Sequence, residues 1–579
     1  MRLISIEIKN FRGIKECKLG IPNKRVLCFI GAGDSTKTTL LEAVRLNLLQ
    51  SWSLNCTDAD FYQCDTMEPI IITCSYTDYP ESLIAEDKYG LYLRSISAII
   101  SSLSKHHDES WDDEPKDEEE TCLTVQLTID SSLEPRWEII CNRLKPKNLG
   151  LADRRIFACN SIGIDFNSDF VWGRNSILHR YADGKGELRS AYHEAFRTAS
   201  KAINFDKLNS ISSAVITAGK QYSVPLEGEI TNKMVMKPNG FSSDVELYDG
   251  KAPFSQRGLG SRRLLSIGLN TNSTDEASLL LIDEVETGLE PYRVCQLISE
   301  LKRSHTERGQ VLMTTHCPSA IAELSADELI MVNSHGGNTT IHVIGNADLS
   351  NIQGIMRRYP EAFLSKCIVV CEGKTEVGLI RALDNYLFTN RGFHLAYKGV
   401  SPVDGSGGSS SIQLAKFLNR CGYIVSLLID SDVKDDNDEK PSLQKSGITI
   451  FDWNEGFSIE EQVFFDVGKE VAEKLIALVV DKSNIKARHQ ELNSITTVCD
   501  IVGESLILKE GLDEEQRKRL GTIAKNNNKD KQKRDTSWFK RIDHGVELGR
   551  VLFESYDEID SKTQLRKTLD SLIEWVSVQ

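Results

Sequence analysis

The residues whose types and spacing offer chemistry are acids that close apolar runs. Glu372 ends the run Cys367-Ile-Val-Val-Cys371, a glycine follows at 373, and Glu376 stands four residues on. Asp430 and Asp432 close a second run, Tyr423-Ile-Val-Ser-Leu-Leu-Ile429. Positions i and i+2 at a strand end point to the same side, so Asp430 and Asp432 can converge on one ion. Four carboxylates brought together at neighbouring strand ends repel one another unless a divalent cation lies among them. Oxygen-only ligands select Mg²⁺ or Mn²⁺, and such a centre suits hydrolysis of a phosphate ester.

A second constellation lies in the first half. Gly31-Ala-Gly33-Asp34-Ser35-Thr36-Lys37-Thr38-Thr39 sits between the apolar run RVLCFI and a helical pattern. A loop there aims backbone N–H groups and a helix N-terminus at phosphate. Lys37 would reach the β- and γ-phosphates of ATP, and Thr38 would hold Mg²⁺. Thr36 occupies the place of the usual glycine, which leaves a plain turn as the alternative. The run Leu279–Ile282 then ends in Asp283-Glu284, an acid for the magnesium shell followed by one that polarises water. Val311-Leu-Met-Thr-Thr-His316 places a histidine as a γ-phosphate sensor, and Glu286-Thr-Gly-Leu-Glu-Pro291 lies between. Gly258, Gly260 and Ser261, within Arg257–Arg263 at a helix start, form a second anion site.

The elements that must position these groups read as α/β. Apolar runs feeding glycine-bearing loops and helices recur over 1–50, 255–345 and from Cys367 to about 465. Expected domains are 1–170 and 251–350 for an ABC-type ATPase in two parts, 171–250 for a helical dimerisation insertion between them, 360–470 for a parallel-sheet nuclease core, and 471–579 for a helical C-terminal region. The glycine-rich stretch Asp404–Ser410 either approaches a phosphate by its backbone or is a flexible turn.

Bulk properties narrow the classes. At 579 residues the chain exceeds one hydrophobic core. The 14 cysteines form no C-x-x-C pair, so reduced buried thiols are expected rather than zinc sites or disulfides. No membrane span and no signal-peptide core are read, and a cytoplasmic location is expected. A net charge of −15 excludes a uniformly basic coat, though not a local basic groove. The acidic run Asp108–Glu120 is expected to be a solvated loop. The basic run Lys525–Arg541 is either a phosphate contact or a polar linker.

The order of these motifs, with Asn10-Phe11-Arg12 in the opening strand, resembles the ABC ATPases of recombination-repair and OLD (overcoming lysogenization defect) type. Glu372 with the Asp430/Asp432 pair resembles a Toprim domain. ATPase followed by Toprim is similar to OLD-family nucleases, including those of Gabija anti-phage systems and retron-associated ones. The resemblance implies an ATP-regulated DNA endonuclease holding two divalent ions, with ATP bound between copies of the chain in a homodimer or larger assembly. It also implies a second-metal set in Asp435, Ser458 and Glu460, and a late lysine near the active site, with Lys540 as candidate and Lys533 and Arg541 as rivals. Partners implied are DNA and either a helicase-like protein or a retron reverse transcriptase with its small DNA. A DNA-repair clamp without nuclease activity and a Toprim topoisomerase or primase are the competing readings.

Overall fold

The computed structural model describes the chain except residues 34, 52–53, 86–87, 105–112, 117, 158, 164–205, 236–243, 273–278, 306–308, 344–348, 483–498, 503–504, 509–513 and 526–536. The chain divides into two units, Met1–Pro360 and Glu361–Gln579.

In the first unit the described strands form a thirteen-stranded mixed sheet. One half is antiparallel: Arg2–Phe11 pairs with Ile14–Gly20 on one side and Ile70–Thr77 on the other, continued by Thr121–Ile129 and Pro135–Ile140. The other half is parallel, in the order Leu329–His335, Val26–Ile30, Gln310–Thr314, Leu279–Ile282, Cys159–Ile162. VLCFI, QVLMT and LLLI are buried at every position. A strand covered on both faces needs apolar side chains at both phases of the pleat, so it is written as a continuous run. The parallel pairing brings the ends of the strands before Gly31, Asp283 and Thr315 to one edge, where α/β sheets bind ligands.

The insertion is not wholly helical. Asp206–Gln221 is a helix, but Ile230–Val235 and Asp244–Asp249 pair antiparallel, joined by Ala252–Pro253. Ile230, Thr231, Val235 and Val245 are β-branched and favour a pleated surface. The stretch GELRSAYHEAFRTASKAIN lies outside the described residues. Of the acidic run Asp108–Glu120, Glu114, Glu118 and Glu120 are exposed, as a solvated loop requires, while Asp113 is fully buried, paired with Arg94 and 3.5 Å from Arg143.

The second unit is built on four parallel strands, ordered Val400–Asp404, Cys367–Cys371, Ile424–Leu428, Thr449–Phe451. Cys371 stands level with Asp404 and Leu428, so the carboxyl ends of three strands are flush. Helices surround them, and the expected helical region holds helices Glu514–Lys525, Ile542–Glu554 and Gln564–Val578 together with a short antiparallel pair, Cys499–Val502 with Ser505–Leu508.

One helix crossing places the C-terminal segment against the acids. Helix Ile542–Glu554 meets helix Lys374–Arg391 through glycines: a Cβ on Gly378 would lie 2.5 Å from the Ile542 carbonyl, and one on Gly545 2.5 Å from that of Thr375. The hydroxyl of Thr375 donates to the Phe539 carbonyl at 3.0 Å, which pins Trp538–Lys540 beside Glu376. Gly545→Leu would force these backbones apart. Overpacking of this kind costs about 1–3 kcal/mol or more, so calorimetry should show a Tm lower by several degrees. An unchanged Tm would contradict the close crossing.

Candidate active site

The strand Cys367–Cys371 delivers Glu372 to the carboxyl end of the sheet, and the next strand delivers Asp430 and Asp432. Each carboxylate is held by a donor from the protein. One oxygen of Glu372 (Oε2) accepts the Asp430 N–H at 2.8 Å, which joins the two strand ends. Glu376, in the first turn of helix Lys374–Arg391, accepts the Gly373 N–H at 2.9 Å. Asp430 Oδ1 accepts the Trp453 indole N–H at 3.1 Å and the Ile459 N–H at 2.9 Å. Asp432 Oδ2 accepts from the Lys525 ammonium at 2.8 Å.

These acids feel one another. Burial, then Glu460 and Glu372, push the Glu376 carboxyl up to about 8. Asp430 is raised well above the usual carboxylate range by burial, then by Glu376, Glu372, Glu460 and Asp432. Glu372 is raised by burial and by Asp432 and Asp436, against the Asp430 N–H and Lys440. Glu460, only 4% exposed, is raised by burial, while Lys540 and Lys525 pull it down. Among the described residues no group of three or more His, Cys, Asp or Glu side chains is arranged so that it could hold a metal ion as it stands. Glu372, Glu376, Asp430 and Asp432 each accept N–H or ammonium donors on one of their two oxygens. An all-oxygen, mutually repelling set of this kind fits a hard divalent cation.

The remaining candidates divide. Glu460 joins the cluster, and Ser458 is buried beside it, capping helix Ile459–Asp466 with its hydroxyl toward the Glu461 N–H. Asp435 is exposed, whereas its neighbour Asp436 is buried and accepts from the Ser409 hydroxyl at 3.0 Å. Lys540 is exposed and acts on Glu460 through its charge. Arg541 pairs with Asp543 at 3.2 Å on the surface, and Lys533 lies outside the described residues. The Asp404–Ser410 loop is not a free turn: Gly405 and Gly407 donate to the carbonyls of Cys371 and Glu372, both at 2.8 Å. A Cβ on Gly408 would collide with Asp436.

Sequence reading missed Lys525, which bridges Asp432 and Glu461 (3.0 Å), and whose own affinity for its proton is raised by those partners against the effect of burial. It missed Trp453, Asp436 and the buried Lys440 as well. Only Lys525 carried a signal, as the first base of the basic run.

In the first unit, Gly31 has φ +147° and a Cβ there would strike the Val332 carbonyl. Lys37 is buried, its ammonium on the Gly31 and Ala32 carbonyls (3.1 and 2.8 Å) and the Ser35 hydroxyl (2.9 Å). Thr36 takes the left-handed conformation that the usual glycine would (φ 66°), at a cost of about 1–2 kcal/mol. Its hydroxyl donates to the Ser35 carbonyl at 2.6 Å and is 3.0 Å from that of Thr339, which offsets part of this. Gly33 is open, Thr39 is half-buried on the helix, and Asp34 lies outside the described residues.

Across the loop, Thr38 and Thr314 hydroxyls both donate to Asp283, at 3.0 and 2.7 Å. Glu284 sits at φ 47° with its N–H on the Thr314 hydroxyl, 2.7 Å. Glu286 accepts the His316 N–H and the Thr315 hydroxyl, both at 2.6 Å, so it sets the histidine turn. Gly258 is exposed, Ser261 half-buried, and Gly260 lies so close to the Gly288 carbonyl that a Cβ would clash.

Comparison with known proteins agrees with this division. Residues 1–150 match the AAA ATPase domain family, and 174–322 match the family described as AAA domain, putative AbiEii toxin, Type IV TA system. Residues 363–432 match the TOPRIM domain of overcoming lysogenization defect protein-like proteins. The chain is 22% identical over 422 residues to Endonuclease GajA of Bacillus cereus (strain VD045), covering 68% of this chain and 65% of that one. It is 28% identical over 109 residues to the energy-coupling factor transporter ATP-binding protein EcfA2 of Clostridium perfringens, 19% of this chain and 37% of that one. It thus spans less than two thirds of the length of these relatives. Among solved structures, the Smc head bound to the C-winged helix domain of ScpA is 13% identical with a TM-score of 0.38, covering 60% of this chain and 98% of that one. The SMC head domain from Thermotoga maritima has 12% identity and a TM-score of 0.30, at 60% and 100%.

Crowded acids oppose folding when no cation is present. The Glu376 carboxyl is raised from 4.5 to about 8, so its contribution is fully present below pH 4.5 and is lost as pH rises through 8. Glu376→Gln keeps the shape and removes the charge. At pH 8 and above, in EDTA, it should raise Tm by about 3 °C or more, and the gain should shrink towards pH 5. A Tm lowered across this range would show that the charge is not under strain.

Proposed function

We propose that this chain, an ATPase–Toprim protein of the overcoming-lysogenization-defect family, is a divalent-cation-dependent DNA endonuclease governed by nucleotide, acting in defence against phage. The observation that carries the reading is the set of mutually repelling carboxylates at the flush ends of parallel strands: half-buried Glu372 and Asp430, buried Glu376 and Glu460 on the adjoining helices, and exposed Asp432. Endonuclease GajA is so named for cutting, and the same class of activity is inferred here.

Glu372, Glu376, Asp430, Asp432 and Glu460, with Ser458, would hold two Mg²⁺ or Mn²⁺ ions; Asp435 or the better-placed Asp436 would complete the set. Bound there, such ions lower the pKa of water and neutralise charge on the phosphate. The chain's own residues do the rest. Lys540, exposed beside Glu460, faces solvent where a phosphodiester would arrive, and its charge offsets what develops on the transferring phosphate. The Asp404–Ser410 loop fixes Glu372 by its backbone.

The first unit binds ATP. Lys37 would leave the loop carbonyls for the phosphates, Thr38 and Asp283 would orient Mg²⁺, and Glu284 would align water with His316 near the γ-phosphate. Gly258, Gly260 and Ser261 stand at a helix start that would clamp nucleotide bound to a second copy of the chain, so a homodimer or larger homo-oligomer is inferred. Among the described residues no helix is long and apolar enough to cross a membrane. A cytoplasmic location is part of the proposal, as is a partner of helicase or reverse-transcriptase type.

Supercoiled plasmid incubated with the chain and Mg²⁺ or Mn²⁺ should be nicked or linearised, and Glu372→Ala should slow this at least about 100-fold, as loss of one group from an electrostatic catalytic set does. Plasmid relaxed with intact strands would favour a topoisomerase. Equal cutting by Glu372→Ala would remove the site from the reaction.

A further inference from the structure

Helix Lys434–Lys445 packs beneath the turn that carries Asp430 and Asp432. Its outward positions, Lys434, Asp435, Asp438 and Glu439, are exposed. Asp436, Asn437 and Lys440 stand at i, i+1 and i+4, on one side of the helix, and are directed inward. Lys440 is 8% exposed. Its ammonium donates to the Ser431 hydroxyl at 2.8 Å, to the Asp430 carbonyl at 3.3 Å, and to Asp452 beyond the neighbouring strand at 3.0 Å. Asn437 donates to the Ser431 carbonyl at 2.8 Å. Ser431, the middle residue of the turn, also donates its hydroxyl to the Trp453 carbonyl at 2.9 Å.

A lysine costs free energy to bury unless it is paired and fully hydrogen-bonded. Pairing with Asp452 alone is available at the surface, since that side chain is 35% exposed. What burial adds is the two bonds to the turn between the acids. The positive charge also lies where it acts on Glu372, the acid of the adjoining strand. Groups that hold metal ligands from behind commonly change metal affinity 10- to 100-fold when removed.

We propose that Lys440 is a positioning residue for the cation site: from beneath, it fixes the Asp430–Ser431–Asp432 turn, and so sets the affinity for divalent metal. The inference rests on the acid cluster being a cation site. Asn437 shares the bracing.

The test is calorimetric titration of the full chain with Mn²⁺ alone, with Tm in EDTA measured in parallel. Lys440→Met should bind Mn²⁺ about tenfold or more weakly, and Lys440→Arg, which keeps the charge, should lie nearer the wild type. Lys440→Met that lowers Tm in EDTA yet binds Mn²⁺ within twofold of wild type would make the lysine a fold residue only and overturn the proposal. Should Lys440→Met not fold, Asn437→Ala decides by the same titration: weaker Mn²⁺ binding supports the brace, unchanged binding overturns it. A wild-type chain that takes up no Mn²⁺ sinks the cation site itself and this proposal with it.

Discussion

Repulsion among crowded carboxylates is the constraint on which the second unit is built. Strands that end flush must bring their terminal side chains together, and here those side chains are acids. The protein tolerates them by giving each a donor: backbone N–H groups for Glu372 and Glu376, an indole and a backbone N–H for Asp430, an ammonium for Asp432. Helices that look peripheral in sequence are needed for this. Helix Ile459–Asp466 supplies an N–H to Asp430 and carries Glu460, and helix Glu514–Lys525 supplies the ammonium to Asp432. The glycine crossing of Gly378 with Gly545 draws the C-terminal segment in, and Lys540 with it.

The first unit solves the opposite problem at an equivalent place. Its parallel strands end in a loop that gathers donors, with Lys37 folded onto carbonyls and two threonine hydroxyls on Asp283. The proposed polyanion and cation sites therefore share one architecture, differing in which charge the strand ends present. Thr36 and Glu284, both with positive φ, stand at this edge beside the groups that would handle phosphate and water.

The parts legible in the sequence are those fixed by strand burial. A strand covered on both faces must be apolar throughout, so its end, and the residue placed there, can be read directly; Glu372, Asp430 and Asp283 follow from that. What was not legible depends on helix phase and on distant partners. In Asp432-Val-Lys-Asp-Asp-Asn-Asp-Glu-Lys440 most residues are charged and look equivalent, and a step of one residue turns a side chain by about 100°. That step separates exposed Asp435 from buried Asp436, and only packing beneath the turn singles out Lys440. Lys525 lies 93 residues from its partner Asp432, so no local pattern announces it. In sequence the insertion looks helical because its first part is periodic at three and four residues, while the β-branched run near 230 is short.

The claim that these acids exist to hold a cation is tested most directly by crystals of the chain grown with Mn²⁺ and measured at the manganese absorption edge. Anomalous density among Glu372, Glu376, Asp430 and Asp432, with those side chains turned onto it, is the predicted result. Well-ordered carboxylates with no anomalous density between them, at Mn²⁺ concentrations that saturate other sites, would contradict it.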